Sequence, residues 1–208
     1  PRLSSGPADQ TSLPTFSSSC LMNCSPIEPI QIHLLIGPPA SGKSQLATLL
    51  APKIPARVIS TDSLRRKLWG DESIQGPWPE IQRQLHDAIH CASAEGESLL
   101  LDATHARREW RRNLIEESSL PSSITWFGWW LHTPLQQCLR WNRARHRQVP
   151  EPLICTMHRM LSSEHSPCCA SEGFKHVFAI DPVSNSPLEH QLKQALAIVH
   201  HGNIHEER

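Results

Sequence analysis

Residues 37–44 have the types and spacing needed to bind a nucleotide. They read Gly-Pro-Pro-Ala-Ser-Gly-Lys-Ser between an apolar segment and a helical pattern, and a glycine, four free residues, Gly-Lys and Ser or Thr form the phosphate-binding P-loop pattern. The glycines allow backbone N–H groups to face phosphates, and the helix N-terminus adds partial positive charge. We expect Lys43 to reach the β- and γ-phosphates and Ser44 to ligate Mg²⁺. The predicted ATP-binding residues in this stretch are Gly37, Pro38, Pro39, Ala40, Ser41, Gly42, Lys43 and Ser44.

Two aspartates directly follow apolar, strand-like segments. Asp62 comes after residues 57–60, and Asp102 ends residues 97–102. Ligands in open α/β sheets lie beyond the carboxyl ends of the strands. We therefore predict that Asp102 holds Mg²⁺ or its water, and that Asp62 accepts a proton from an attacking hydroxyl. The alternative for each aspartate is that it caps the helix that follows.

Arginine, which suits bidentate contact with phosphate, is concentrated in three clusters. Arg65 and Arg66 lie one helical turn beyond Asp62, so one of them is expected to point at the same cleft. Arginines at 107, 108, 111 and 112 form a stripe on a predicted helix, which is either a solvated face or a contact for an anionic substrate. The third cluster spans residues 140–147.

This third cluster lies between two predicted helices, because Val149-Pro150 interrupts the helical pattern. Such a helical hairpin can fold over a triphosphate as a lid, and its arginines can neutralise charge on a phosphoryl group in transfer. A basic surface turn is the alternative.

The elements that position these residues alternate in type along the chain. Apolar strand-sized segments and longer amphipathic segments take turns, which predicts an α/β fold with a parallel sheet of about five strands and helices on both faces. Residues 70–79 are predicted to be a loop that can close over a substrate. Trp126, Trp129 and Trp130 are predicted to be core residues of a strand that is covered on both faces. The predicted strands are residues 30–36, 57–60, 97–102, 125–131 and 176–180.

Composition limits what the chain can be. Its 208 residues suit one domain at residues 30–208, preceded by a disordered segment rich in Ser, Pro and Thr at residues 1–29. The 20 basic residues balance 20 acidic ones, so the global basic field of a general nucleic-acid binder is absent. Seven cysteines without a Cys-x-x-Cys pair indicate a reduced, cytoplasmic chain. No apolar run approaches the roughly 18 residues of a membrane helix.

Taken together, the motifs resemble the P-loop kinases related to polynucleotide 5′-hydroxyl kinases, with zeta-toxin kinases as more distant relatives. The resemblance runs from about residue 32 to residue 180. It rests on the P-loop, on Ser-Thr-Asp-Ser-Leu-Arg at 60–65, on Leu-Asp-Ala-Thr at 101–104, on Asn-Arg-Ala-Arg at 142–145 before Val-Pro-Glu at 149–151, and on Glu-Gly-Phe at 172–174. The chain departs from the family pattern at His105, where Asn is common, and at Trp141, where Arg is common.

The resemblance implies a role for each matching residue. Asp62 would be the general base, Arg65 would contact the phosphate of the acceptor, and Lys43 and Arg145 would brace the transferred γ-phosphoryl group. Arg140 or Arg143 is expected to take the place of the missing lid arginine, and Arg143 is predicted to bind ATP. The expected function is transfer of the ATP γ-phosphate, with Mg²⁺, to a hydroxyl acceptor, first of all a polynucleotide 5′-OH end. A small-molecule or nucleotide-sugar kinase and an ATP-binding switch that transfers nothing are the alternatives.

Overall fold

The computed structural model describes residues 30–74, 76–118, 124–162, 168 and 170–201. The predicted disordered segment at residues 1–29 lies outside these ranges, so the division into 1–29 and 30–208 stays a prediction. The strands are β1 (Ile30–Ile36), β2 (Ala56–Ser60), β3 (Ser98–Asp102), β4 (Ile124–Leu131) and β5 (His176–Ile180). The α-helices are α1 (Lys43–Leu50), α2 (Thr61–Trp69), α3 (Trp78–Glu95), α4 (Arg108–Glu117), α5 (Leu135–Arg143), α6 (Glu151–Ser162) and α7 (Leu188–His201), with a 3₁₀ turn at Ala170–Glu172.

The five strands form one parallel sheet in the order β2-β3-β1-β4-β5. Asp102 pairs in register with Leu35 of β1 on one side and with Ser60 of β2 on the other. The carboxyl ends of these three strands therefore meet at one edge of the sheet. The chain places β2 and β3 on one side of β1 and β4 and β5 on the other, which puts a topological switch point at β1.

Helices cover both faces of this sheet because alternate strand residues point in opposite directions. Leu99 and Leu101 of β3 pack in a core with α3 and α4, whereas Leu100 packs in a second core with α1 and α7. Trp126 and Trp129 are buried, and Trp130 packs against the first core, as predicted. None of the helices in the described ranges is long and apolar enough to cross a bilayer. The predicted α/β P-loop fold is thus confirmed.

Two helices begin where the sequence pattern had not placed them. Helix α2 starts at Thr61, directly after β2, because the Ser60 side chain caps it by accepting a hydrogen bond from the Ser63 N–H at 3.0 Å. Asp62 consequently lies inside the first turn and is not the cap. Helix α3 starts at Trp78, within the predicted 70–79 loop, with a proline in its first turn.

Candidate active site

The loop between β1 and α1 has a backbone that few residues adopt. Ala40 and Gly42 have left-handed φ angles of 60° and 98°, a region that favours glycine. Gly37 is needed for space, since a Cβ there would stand 2.6 Å from Ser41 Oγ. The Gly37 N–H donates to the Thr104 carbonyl at 3.1 Å, which ties the loop to the segment after β3. Alternating backbone geometry of this kind makes a concave site for anions.

Lys43, the first residue of α1, is buried beneath this loop. Its ammonium donates to the carbonyls of Gly37 at 3.0 Å and Pro38 at 2.8 Å. Burial lowers the pKa of Lys43 to about 8, although the carboxylate of Asp102 acts in the opposite direction. Lys43 is therefore mostly charged at neutral pH and loses its charge in mildly alkaline solution.

Ser44 and Asp102 bring two oxygen donors together at the carboxyl end of β3. The Ser44 hydroxyl donates to Asp102 Oδ2 at 2.9 Å. Asp102 does not cap a helix, since α4 begins only at Arg108. Hydroxyl and carboxylate oxygens are the ligands that Mg²⁺ prefers, so this pair fits the predicted metal-binding role.

Asp62 is held by arginines from two different elements. Arg65 Nη1 of α2 donates to Asp62 Oδ1 at 2.8 Å, and Arg147 Nη1, between α5 and α6, lies 3.6 Å from Asp62 Oδ2. Arg147 also stands 3.7 Å from the carboxylate of Glu72. These contacts hold the Asp62 carboxylate next to the segment that joins α5 and α6.

That segment is shaped by Asn142, the next-to-last residue of α5. Its side chain donates to the Val149 carbonyl at 2.8 Å and accepts from the Val149 N–H at 2.9 Å. This two-way hydrogen bond closes residues 143–148 into a compact turn between the helices. The arginine-rich segment thus forms the predicted helical hairpin.

The predicted site residues converge on a cavity of about 760 Å³. Four predicted residues belong to the same loop but do not line the cavity in the described structure: Gly37, Pro38, Ser41 and Gly42. The predicted residues on its wall are Pro39, Ala40, Lys43, Ser44, Asp62, Arg65, Asp102 and Arg145.

Arg143, predicted to bind ATP, is not brought to this cavity. It ends α5 on an exposed face, where its Nε donates to Glu151 Oε1 at 2.7 Å. The helical phase of α5 turns Arg143 toward α6, while the closed turn carries Arg145 and Arg147 to the cavity wall.

The predicted arginine stripe of α4 does not act as a single surface, because one of its members is buried in an ion pair. Arg111 is fully buried, and its guanidinium donates to both Glu172 oxygens at 2.6 and 2.8 Å. It also donates to the carbonyls of His105 and Ala106 at 2.9 and 3.1 Å. Glu172 belongs to the Glu-Gly-Phe motif, which therefore anchors α4 and the segment after β3.

The cavity wall also carries side chains that were not among the predicted site residues, including Trp78, His105, Trp110 and Arg147. His105 has a left-handed φ of 44°, and its Nδ1–H donates to the Leu35 carbonyl at 3.0 Å. Burial lowers the pKa of His105 to about 4, so the ring is neutral at pH 7. The departure from the family pattern at His105 could have identified this residue as a site residue from the sequence. No local sequence pattern identifies Trp78 or Trp110.

The sequence of this chain matches a known protein family. A family model described as an AAA domain matches residues 32–163. The chain belongs to this AAA domain family. The resemblance to P-loop kinases noted in the sequence is confirmed at the level of family and fold. No curated protein sequence matches the chain.

Solved kinases share the fold of this AAA domain. A gluconokinase from Sinorhizobium meliloti 1021 is 20% identical, with 85% of this chain and 94% of that chain covered and a TM-score of 0.56. The APS kinase CysC from Mycobacterium tuberculosis, solved with AMPPNP and APS, is 20% identical, with 83% and 98% covered and a TM-score of 0.51. A chain of the Pnkp1/Rnl/Hen1 RNA repair complex is 15% identical, with 64% and 44% covered and a TM-score of 0.55.

The lowered pKa of Lys43 predicts how ATP affinity depends on pH. We expect ATP to pair with the charged ammonium, so the AAA domain should lose affinity as pH rises through about 8. Between pH 7 and pH 9 the loss should be about tenfold, measured by calorimetry with Mg²⁺ and a non-hydrolysable ATP analogue. The Lys43→Arg variant, whose guanidinium stays charged, should show a flat profile. An equal loss of affinity in both proteins would exclude Lys43 as the cause.

Proposed function

We propose that this chain is an ATP- and Mg²⁺-dependent phosphotransferase that moves the γ-phosphoryl group to a hydroxyl acceptor, with a polynucleotide 5′-OH end as the preferred acceptor. The observation that carries the proposal is that Lys43 and Asp62 line the same cavity. A phosphate-binding lysine and a carboxylate that can accept a proton are the two groups that transfer to an alcohol requires.

The proposed reaction assigns a task to each group. The acceptor hydroxyl gives its proton to the Asp62 carboxylate as its oxygen forms a bond to the γ-phosphorus. The bond from the γ-phosphorus to the β,γ-bridging oxygen breaks, and ADP leaves. Lys43 and Arg145 neutralise charge on the transferred group, while Arg65 orients the acceptor and the carboxylate. Ser44 and Asp102 would hold Mg²⁺, which would supply neutralisation of phosphate charge.

Charge on the cavity wall supports an anionic acceptor. Arg65, Arg145 and Arg147 line it together with Lys43, against the carboxylates of Asp62, Glu72 and Asp102, so the wall carries a small excess of positive charge in groups that suit phosphate. A polynucleotide 5′ end carries its first phosphate close to the reacting hydroxyl, in reach of such side chains. The zero net charge of the chain favours the second candidate, a small-molecule kinase. For this reason both acceptor classes belong in the test.

The test is transfer of labelled γ-phosphate from ATP to a 5′-OH oligonucleotide, to a nucleoside and to gluconate. We expect label on the oligonucleotide, and a rate about 10²–10³-fold lower with Lys43→Met. The matched control is Lys53→Met, which removes a lysine exposed beyond α1 and should keep the wild-type rate. Label on gluconate alone would contradict the polynucleotide acceptor. ATP binding without label on any acceptor would favour an ATP-binding switch protein and contradict the proposed phosphoryl transfer.

A further inference from the structure

Two tryptophans form part of the cavity wall. Trp78, at the start of α3, and Trp110, in the first turn of α4, stack with ring centroids 4.7 Å apart and planes 18° from parallel. Both rings line the cavity together with Asp62 and Arg65. The P-loop and proposed acceptor chemistry do not require these indoles, so they are available for another purpose.

The topology assigns this wall to the acceptor half of the cavity. Helix α2, which carries Asp62 and Arg65, follows β2, and α4 follows β3. Both strands lie on the same side of β1. The opposite side, toward β4 and β5, brings Trp141 and Pro182 to Gly42 of the phosphate loop. The tryptophan pair therefore lies on the same side of β1 as Asp62, and on the other side of β1 from Trp141 and Pro182.

The chemistry of the wall suits a flat, partly polar ring. Met157 and Leu153 of α6 add apolar surface to it, and the Arg107 guanidinium lies 4.8 Å from the Trp110 ring centroid, which keeps that ring in place.

We infer that the acceptor carries a nucleobase next to its reacting hydroxyl, and that this base packs against Trp78 and Trp110 while Arg65 holds the neighbouring phosphate. The inference rests on the proposed transferase function and names its substrate class. Small polyols and sugar acids lack both the flat ring and the adjacent phosphate diester. A 5′-OH nucleotide end has both.

The experiment compares two dinucleotides with a free 5′-OH, one with an intact 5′ base and one abasic at that position. Base stacking on aromatic residues predicts about tenfold weaker binding of the abasic probe to the wild type, measured by calorimetry with a non-hydrolysable ATP analogue present. Trp110→Ala should bind both probes as weakly as the wild type binds the abasic one. Trp110→Phe should restore the preference, and affinity for the ATP analogue should stay unchanged throughout.

Equal binding of the two probes by the wild type would overturn the inference, and this comparison needs no variant to fold. A preference that survives in Trp110→Ala at full strength would also overturn it. Calorimetry does not depend on turnover, so the outcome stands apart from that of the transfer assay. A base preference without phosphate transfer would support the base site and contradict the transferase proposal.

Discussion

Asp62→Asn is expected to reduce phosphoryl transfer by about 10²–10⁴-fold, the usual contribution of a positioned general base. The amide keeps the shape of the side chain but cannot accept the proton of the acceptor hydroxyl. ATP affinity should change by less than about twofold, since Asp62 stands on α2 and not in the phosphate loop. Initial rates with the 5′-OH oligonucleotide and calorimetry with the ATP analogue measure the two effects.

A surface aspartate provides the matched control for this variant. Asp87 lies on the exposed face of α3, and its carboxylate accepts from Arg83 at 3.1 Å. Asp87→Asn also removes an aspartate from an ion pair with arginine, yet it should leave transfer unchanged. If Asp62 only tethers Arg65 and Arg147, Asp62→Asn will keep its rate within about threefold, as a lost exposed ion pair would allow. That result would exclude Asp62 as the base.

Local patterns in the sequence were sufficient for the sheet and for the residues at its edge. A nearly continuous apolar run marked β3, and a carboxylate at its end could be placed beside the loop after β1 because parallel strands bring their carboxyl ends together. Six predicted residues with reactive side chains accordingly line one cavity: Lys43, Ser44, Asp62, Arg65, Asp102 and Arg145.

Local sequence patterns did not predict contacts between residues that are far apart in the chain. The spacing of the α4 arginines fits a solvated stripe equally well, because the partner of Arg111 is Glu172, 61 residues away. Trp78 and Trp110 meet only when α3 and α4 pack side by side. The position of Arg143 on α5 turns its side chain toward Glu151. The segment contains four arginines, and its sequence does not show which of them faces the cavity.

The buried pair of Arg111 and Glu172 leads to the largest expected effect on stability. Glu172→Gln removes the negative charge that faces Arg111 and, at 3.8 Å, Arg108, so the buried guanidinium of Arg111 loses its bidentate carboxylate, which should lower the free energy of unfolding by about 3–5 kcal/mol. Arg111 also holds the carbonyl of His105, whose left-handed backbone is unfavourable for a residue with a Cβ. Loss of the pair therefore loosens the segment between Asp102 and α4. Urea unfolding followed by circular dichroism measures the change.

The double variant Arg111→Met with Glu172→Met separates the charge from the packing. With Arg111 and Glu172 both replaced by apolar side chains, neither leaves the other as a buried charge, so the loss of stability should be smaller than the sum of the two single losses. The exposed pair of Arg112 and Glu116 on the same helix, 2.8 Å apart, is the control, and Glu116→Gln should change the unfolding free energy little. Equal losses for Glu172→Gln and Glu116→Gln would mean that the buried charge is compensated elsewhere. A loss confined to Glu172→Gln would instead identify the Glu-Gly-Phe motif as the anchor of the segment that carries His105 to the cavity.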